Sequence, residues 1–227
     1  MIGYQMPINL VLLTSIIYVP NTPLSYIHTR SVFTPDERFT QTKKTIESIR
    51  KNIINAKICI VECSHLSEEQ SCYFTSNCDY FINLIGQEEA KHNIYSMSKS
   101  LGEGTMTMAA IDFLQQNNIV FDHFFKITGR YWLSEKFYYP HFDNENAVVH
   151  YIQYDDNCDT SLYKLHNIQV GPFGSFLKSH LYLMHQCIGY EVLFAMFLKT
   201  CDPTKVVSLD KIGVNGYISV SNDYIDN

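Results

Sequence analysis

Hydrophobic and polar positions alternate between two kinds of territory in the first half of the chain. Residues 8–19, INLVLLTSIIYV, are almost continuously apolar and stop at Pro20, which predicts a first strand buried on both faces. After a loop rich in Pro, Ser and Thr, the residues Phe39, Ile46, Ile49 and Ile53 recur at helical spacing. Thr34 can cap that run, Pro35 suits its first turn, and Glu37 completes a T-x-x-E box. A helix from about 35 to 54 follows, with Arg50 and Lys51 where its dipole favours cations.

The alternation continues with an apolar strand at 56–63 and a short helix opened by Ser67 with Glu68 and Glu69. A third strand follows at 79–85, then a less regular segment over 87–98. Ser100 and Glu103 read as a second capping box, opening a helix with Met106, Ala110, Phe113 and Leu114 on one face. That helix ends near Asn117 and Asn118 and leads into a buried strand at 121–128, where Lys126 is expected to reach solvent. The order β-α-β-α-β-α-β predicts a mostly parallel central sheet flanked by helices. The second half is mixed: a strand at 147–154, a glycine turn and helix over 171–187, a helix over 190–201, and short strands with glycine turns to the end. No repeat or linker divides the chain, so the expectation is a single α/β domain with halves 1–133 and 134–227.

Composition narrows the class. At 227 residues, 46% hydrophobic and 18% charged, the chain can fill one sizeable core and is not generally disordered. The net charge of −6, with scattered basic residues, argues against nucleic acid as a partner. Seven cysteines without a C-x-x-C pair fit reduced thiols in the cytoplasm. The apolar run near the start has no preceding Lys or Arg and is too short to span a bilayer, so no integral membrane segment is expected. The sequence also lacks G-x-S-x-G, Walker-type and Rossmann glycine motifs, which removes the usual support for hydrolase, NTPase or dehydrogenase chemistry.

Ligands of open α/β sheets bind at the carboxyl ends of the strands. KSLGEG, residues 99–104, combines Lys99, glycines and a helix start, and reads either as a phosphate cradle or as an ordinary cap. Arg130, held by Gly129 at the mouth of a buried strand, can grip a diphosphate bidentately or pair with a surface carboxylate. Asp155, Asp156 and Asp159 follow a strand, as ligands of Mg²⁺ or Mn²⁺ would, and as a plain polar turn would. Glu191 begins a helix, where it can serve as a general base or merely favour the dipole. His180 and His185, five apart, share no helix face and carry no metal expectation.

Several segments together resemble the GT-A-fold glycosyltransferases, most of all the small members found in large DNA viruses and some bacteria. They are residues 14–64, KSLGEGTMTMAAIDFL at 99–114, FFKITGRYWL at 124–133 and KIGVNGYISV at 211–220. The resemblance implies transfer of a sugar from a nucleoside-diphosphate sugar to a hydroxyl of a glycan or other acceptor, with the acceptor bound by residues 134–227. It points to Thr14, Ser15 and Arg30 for the base, and to Gly102 and Glu103 for the nucleotide-sugar. In the family the turn after the fourth strand carries Asp-x-Asp on a divalent metal; here it is Gly129-Arg130-Tyr131. The diphosphate is then expected to rest on Arg130 and Lys99, or on Mn²⁺ or Mg²⁺ brought by Asp155 and Asp156. Glu191 matches the base of inverting members, Asp155 and Asp156 are second choices, and retention stays open. The alternatives are a nucleotidyltransferase, against which the missing acid pair counts, and an inert relative that only binds nucleotide or glycan.

Overall fold

The computed structural model of the chain describes residues 6–152 and 156–227. Its first half follows the expected alternation: β1 (Asn9–Ser15), α1 (Pro35–Asn52), β2 (Ala56–Glu62), α2 (Glu68–Asn77), β3 (Tyr80–Asn83), α3 (Glu88–Tyr95), α4 (Lys99–Gln116) and β4 (His123–Thr128). The capping signals act as read for α1, where the Thr34 hydroxyl accepts from the Glu37 N–H at 3.3 Å and Glu37 Oε2 accepts from the Thr34 N–H at 2.7 Å. Such a cap contributes about 1 kcal/mol. β1 stops at Ser15, short of the predicted end, because the next N–H groups turn to side chains. Ile17 N donates to Glu62 Oε1 at 3.1 Å and Tyr18 N to Ser64 Oγ at 3.0 Å.

The second half contains β5 (Tyr131–Leu133), β6 (Ala147–Val149), β7 (Leu162–His166), α5 (Asn167–Ser179), α6 (Leu181–His185), α7 (Tyr190–Leu198), β8 (Val206–Ser208), β9 (Val214–Tyr217) and β10 (Tyr224–Asp226). Four expectations are corrected here. The strand predicted at 147–154 ends at Val149, while residues 153–155 lie outside the described ones. LYKLH forms a central strand, β7, that its lysine disguised; Lys164 is fully buried, and its ammonium donates to the carbonyls of Asn144 (2.5 Å) and Asn146 (2.6 Å). Gly171 and Gly174 lie inside α5 rather than in a turn, and a Cβ on Gly174 would come within 2.9 Å of Ile111. Lys126 does not reach solvent: it too is fully buried.

A further correction concerns α4. Its cap is Ser98, whose hydroxyl accepts from Leu101 N at 3.1 Å and donates to Met184 O at 2.6 Å. Ser100 and Glu103 therefore sit within the helix and make no capping box.

Seven strands form the main sheet in the order β3-β2-β1-β4-β7-β6-β8, and β10-β9-β5 form a small antiparallel one. β1 runs parallel to both β2 and β4, β2 parallel to β3, and β6 parallel to β8, whereas β7 is antiparallel to β4 and β6. Leu10 and Leu12 face one core and Val11 and Leu13 the other, all at 0% exposure, which explains the unbroken apolar run of β1. Each such side chain contributes about 1.5–3 kcal/mol on burial. No helix among the described residues is long and apolar enough to cross a membrane.

Candidate functional site

The chain leaves β1 towards β2 on one side, and β4 lies on the other, so the strand order reverses between β1 and β4. Crossovers diverge at such a point and open a crevice at the strand carboxyl ends. A cleft of about 260 Å³ lies there, with Thr14 and Ser15 of β1 and Thr128 of β4 in its lining. The turn after β4 is tied to β1: Gly129 N donates to Thr14 O at 2.9 Å, and Thr42 Oγ1 donates to Gly129 O at 2.9 Å. A Cβ on Gly129 would meet Thr42 Oγ1 at 3.0 Å and Thr14 O at 3.3 Å, so glycine lets the turn lie this close. Arg130 is thereby held at the cleft, and its Nε is buried without a hydrogen-bond partner.

A second arginine lines the cleft beside it. Arg38 of α1 is buried, donates from Nε to Ile16 O at 2.6 Å, and donates from Nη1 to Ser31 Oγ at 3.2 Å and Ser219 Oγ at 3.3 Å. Burial first, and then repulsion from Arg130, pull its pKa down to about 9 against the opposing pull of Glu62. A buried guanidinium whose charge is disfavoured in this way makes a place where an anion would be welcome. Arg30 also lines the cleft, but Nη1 donates to Tyr95 O at 3.2 Å and Nη2 to Ser96 O, so it fastens the loop after β1 to the end of α3.

Within reach of Arg130 runs a chain of alternating charge. Lys126 pairs with Glu103 and donates to Thr128 Oγ1 and Thr160 O, each at 3.0 Å. Lys99 Nζ lies 3.8 Å from Glu191 Oε1, to which Thr160 Oγ1 donates at 3.4 Å. Burial alone would raise the Glu103 carboxyl, but Lys126, Lys99 and Arg130 hold it below the usual carboxylate range. For Lys99 the ordering is similar: desolvation lowers its pKa, and Glu191 with Glu103 more than reverses that, leaving it raised.

Among the sequence-predicted residues, Thr14, Ser15, Arg30, Lys99 and Gly102 line this one cleft. So do Glu103, Gly129, Arg130 and Glu191. A Cβ on Gly102 would sit 3.2 Å from Ile94 O, so the glycine also serves the close crossing of α4 over α3. Asp156 is not brought in; it is exposed and pairs with Lys199. Asp155 lies outside the described residues. Arg38, Thr42 and Lys126 were missed. Arg38, Thr42, Thr45 and Ile49 share the buried face of α1 at helical spacing, a signal that could have exposed the arginine.

The described residues do not fit a resident divalent ion. No group of three or more His, Cys, Asp or Glu side chains among them is placed to hold one. Three carboxylates line the cleft and each meets a donor: Glu103 pairs with Lys126, Glu191 with Lys99, and Asp159 accepts from Ser161 N at 2.8 Å and Asn227 Nδ2 at 2.6 Å. A hard cation would want several free oxygens there.

No family model matches the chain, and neither does any curated protein. Solved structures do resemble it. CTP:phosphocholine cytidylyltransferase from Streptococcus pneumoniae aligns over 96% of both chains at 12% identity, with a TM-score of 0.51. Core-mannan synthase A from Aspergillus fumigatus, in its Mn/GDP form, aligns over 98% of this chain and 78% of its own at 10% identity and TM-score 0.55. The glycosyltransferase GlyE of S. pneumoniae TIGR4 covers 90% of this chain and 46% of its own at 12% identity and TM-score 0.50. With the seven-stranded, mostly parallel sheet and its switch-point cleft, these likenesses give the chain a GT-A-like fold.

Proposed function

We propose that the chain transfers a sugar from a nucleoside-diphosphate sugar to an acceptor hydroxyl. The observation that carries this reading is Arg130, held at the switch-point cleft with a buried, unpartnered Nε beside a second arginine whose charge is disfavoured. A diphosphate supplies what that pair lacks, and bidentate guanidinium contacts suit its oxygens. Thr14, Ser15 and Arg30 are assigned to the nucleoside, and Gly102 and Glu103 to the sugar-bearing side.

In the proposed reaction Glu191 takes the proton of the acceptor hydroxyl, and the freed oxygen attacks the anomeric carbon. The bond from that carbon to the phosphate oxygen breaks with both electrons leaving on the diphosphate, and Arg130, Arg38 and Lys99 offset the charge that develops there. The carboxylate is oriented by Thr160 and Lys99. This direct attack inverts the anomeric centre. No step is routed through a metal.

The likeness to a cytidylyltransferase over 96% of both chains favours nucleotidyl transfer as the second reading. The two break different bonds. Incubating the protein with a panel of nucleoside-diphosphate sugars, and separately with nucleoside triphosphates and sugar phosphates, with and without Mn²⁺, decides between them. Release of a nucleoside diphosphate supports sugar transfer; release of pyrophosphate with a new nucleotide-sugar would replace it. An inert relative would release neither.

A further inference from the structure

The reaction above uses no residue of the C-terminal hairpin, in which a turn over residues 218–223 joins β9 to β10. Its own backbone closes that turn: Ile218 N donates to Asp223 O at 2.8 Å and Asn222 N to Ile218 O at 2.9 Å. Ile218, Ser219 and Val220 nevertheless line the cleft, as does Ile225 of β10. The hairpin meets both arginines. β9 pairs with β5 directly after Arg130, and a Cβ on Gly216 would come within 2.7 Å of Arg130 O, so glycine is what lets β9 lie against that turn. At the tip, Ser219 Oγ donates to Arg30 O at 3.2 Å and accepts from Arg38 Nη1 at 3.3 Å, while Val32 N donates to Ser219 O at 2.8 Å.

A serine hydroxyl has one proton, and Arg30 O takes it, so the oxygen faces Arg38 as an acceptor. A guanidinium is a rigid planar fork. Holding Nε on Ile16 O, and Nη1 on Ser31 Oγ and Ser219 Oγ, therefore fixes the direction in which Nη2 points. A fork aimed in advance loses less freedom when an anion arrives. Ser219 lies 181 positions from Arg38 along the chain, so this aim depends on the hairpin being docked. We infer that the C-terminal hairpin is a working part of the anion site: Ser219 is the positioning residue that aims Arg38 at a diphosphate, and the bound diphosphate in turn holds the hairpin down. Linkage makes the two effects equal, because docking that tightens the anion by some factor is itself stabilised by the anion by the same factor. The inference rests on the diphosphate site of the transferase reading and not on its chemistry.

Inorganic pyrophosphate is the probe, titrated calorimetrically into the full chain without metal. Ser219→Ala should bind it about threefold to tenfold more weakly, the contribution of one hydrogen bond, and Ser219→Thr, which keeps a hydroxyl, should stay within about twofold of the native chain. In an Arg38→Met background Ser219→Ala should have no further effect, since the group it aims is gone. A serine that only stabilised the hairpin would lower Tm and leave the affinity alone. Hydrogen exchange supplies the reciprocal measurement. Saturating pyrophosphate should slow exchange of the Val32, Ile218 and Asn222 amides in the native chain by a factor similar to the affinity loss, and should not in Ser219→Ala. Should Arg38→Met fail to fold, the threonine rescue and the exchange rates decide. Equal affinity in the native chain and Ser219→Ala, or binding that leaves those amides unchanged, would overturn the inference while the donor reading stands. No pyrophosphate binding to the native chain would overturn it together with the diphosphate site.

Discussion

Replacing Lys126 by Met removes the charge beneath the cleft and keeps most of the aliphatic stem. In the native chain the ammonium is fully buried and answers Glu103, whose side chain is only 12% exposed. Removing one partner of a buried pair costs about 3–5 kcal/mol, because the other charge is left uncompensated. Lys99 still attracts Glu103, so the lower end applies, about 3 kcal/mol. For a domain of this size that is about 6–12 °C in Tm. The double variant Lys126→Met/Glu103→Gln removes both charges and loses mainly the bonds to Thr128 and Thr160, at about 1 kcal/mol each. It should therefore be more stable than Lys126→Met alone, by about 1 kcal/mol or more.

The pH dependence supplies a second sign. Glu103 has a lowered pKa in the native chain, so its contribution is present above the unfolded carboxyl value and is lost as pH falls through the folded one. Without Lys126, burial pushes the carboxyl up instead, and acidification relieves the penalty. Urea unfolding of the four chains near pH 7 and near pH 5 should show the Lys126→Met deficit shrinking at the lower pH. A deficit that does not change with pH, or a double variant no better than the sum of the singles, would refute the reasoning.

Two further outcomes follow from named groups. Lys164 has its pKa pulled down to about 7, chiefly by burial, so the unfolded chain binds its proton more readily between about pH 7 and 10. Stability should rise with pH in that window, by at most about 1.4 kcal/mol per unit, and urea midpoints of Lys164→Met should lose that slope. Glu191→Gln should lower kcat by about 100-fold to 10,000-fold, as loss of a general base does, and leave donor affinity within about threefold in a calorimetric titration. Unchanged turnover would move the base elsewhere.

Much of the fold was legible because apolar runs and caps agree with it: α1 and β2 fall where their patterns put them, and β1 begins where its run does although it stops at Ser15. What stayed hidden involves polar side chains satisfied inside. Lys126 and Lys164 interrupt apolar strands with charges, and only the third dimension supplies Glu103 and the Asn144 and Asn146 carbonyls that accept them. The S-x-x-E spacing at Ser100 and Glu103 misled for a similar reason, since Ser98 holds the cap through a contact with distant Met184. Of the candidate site, the strand-end residues were found by topology, which sequence order already reveals. Arg38 stays hidden because a charged side chain in the first turns of a capped helix reads as solvated, and only the fold brings the Ile16 carbonyl and the Ser31 and Ser219 hydroxyls to it.

Arg130 is the residue on which a nucleotide donor in this cleft most depends. Isothermal titration of nucleoside diphosphates into the native chain and into Arg130→Ala, each with and without Mn²⁺, tests it most directly. A charge-assisted contact is worth about 1.5–3 kcal/mol, so the variant should bind about 10-fold to 150-fold more weakly. Its ligand-free Tm should stay within about 2 °C of the native value, because Arg130 Nε has no protein partner to lose. Equal affinity in the two chains, or no binding of any nucleoside diphosphate to the native one, would contradict the claim that this cleft holds a nucleotide donor.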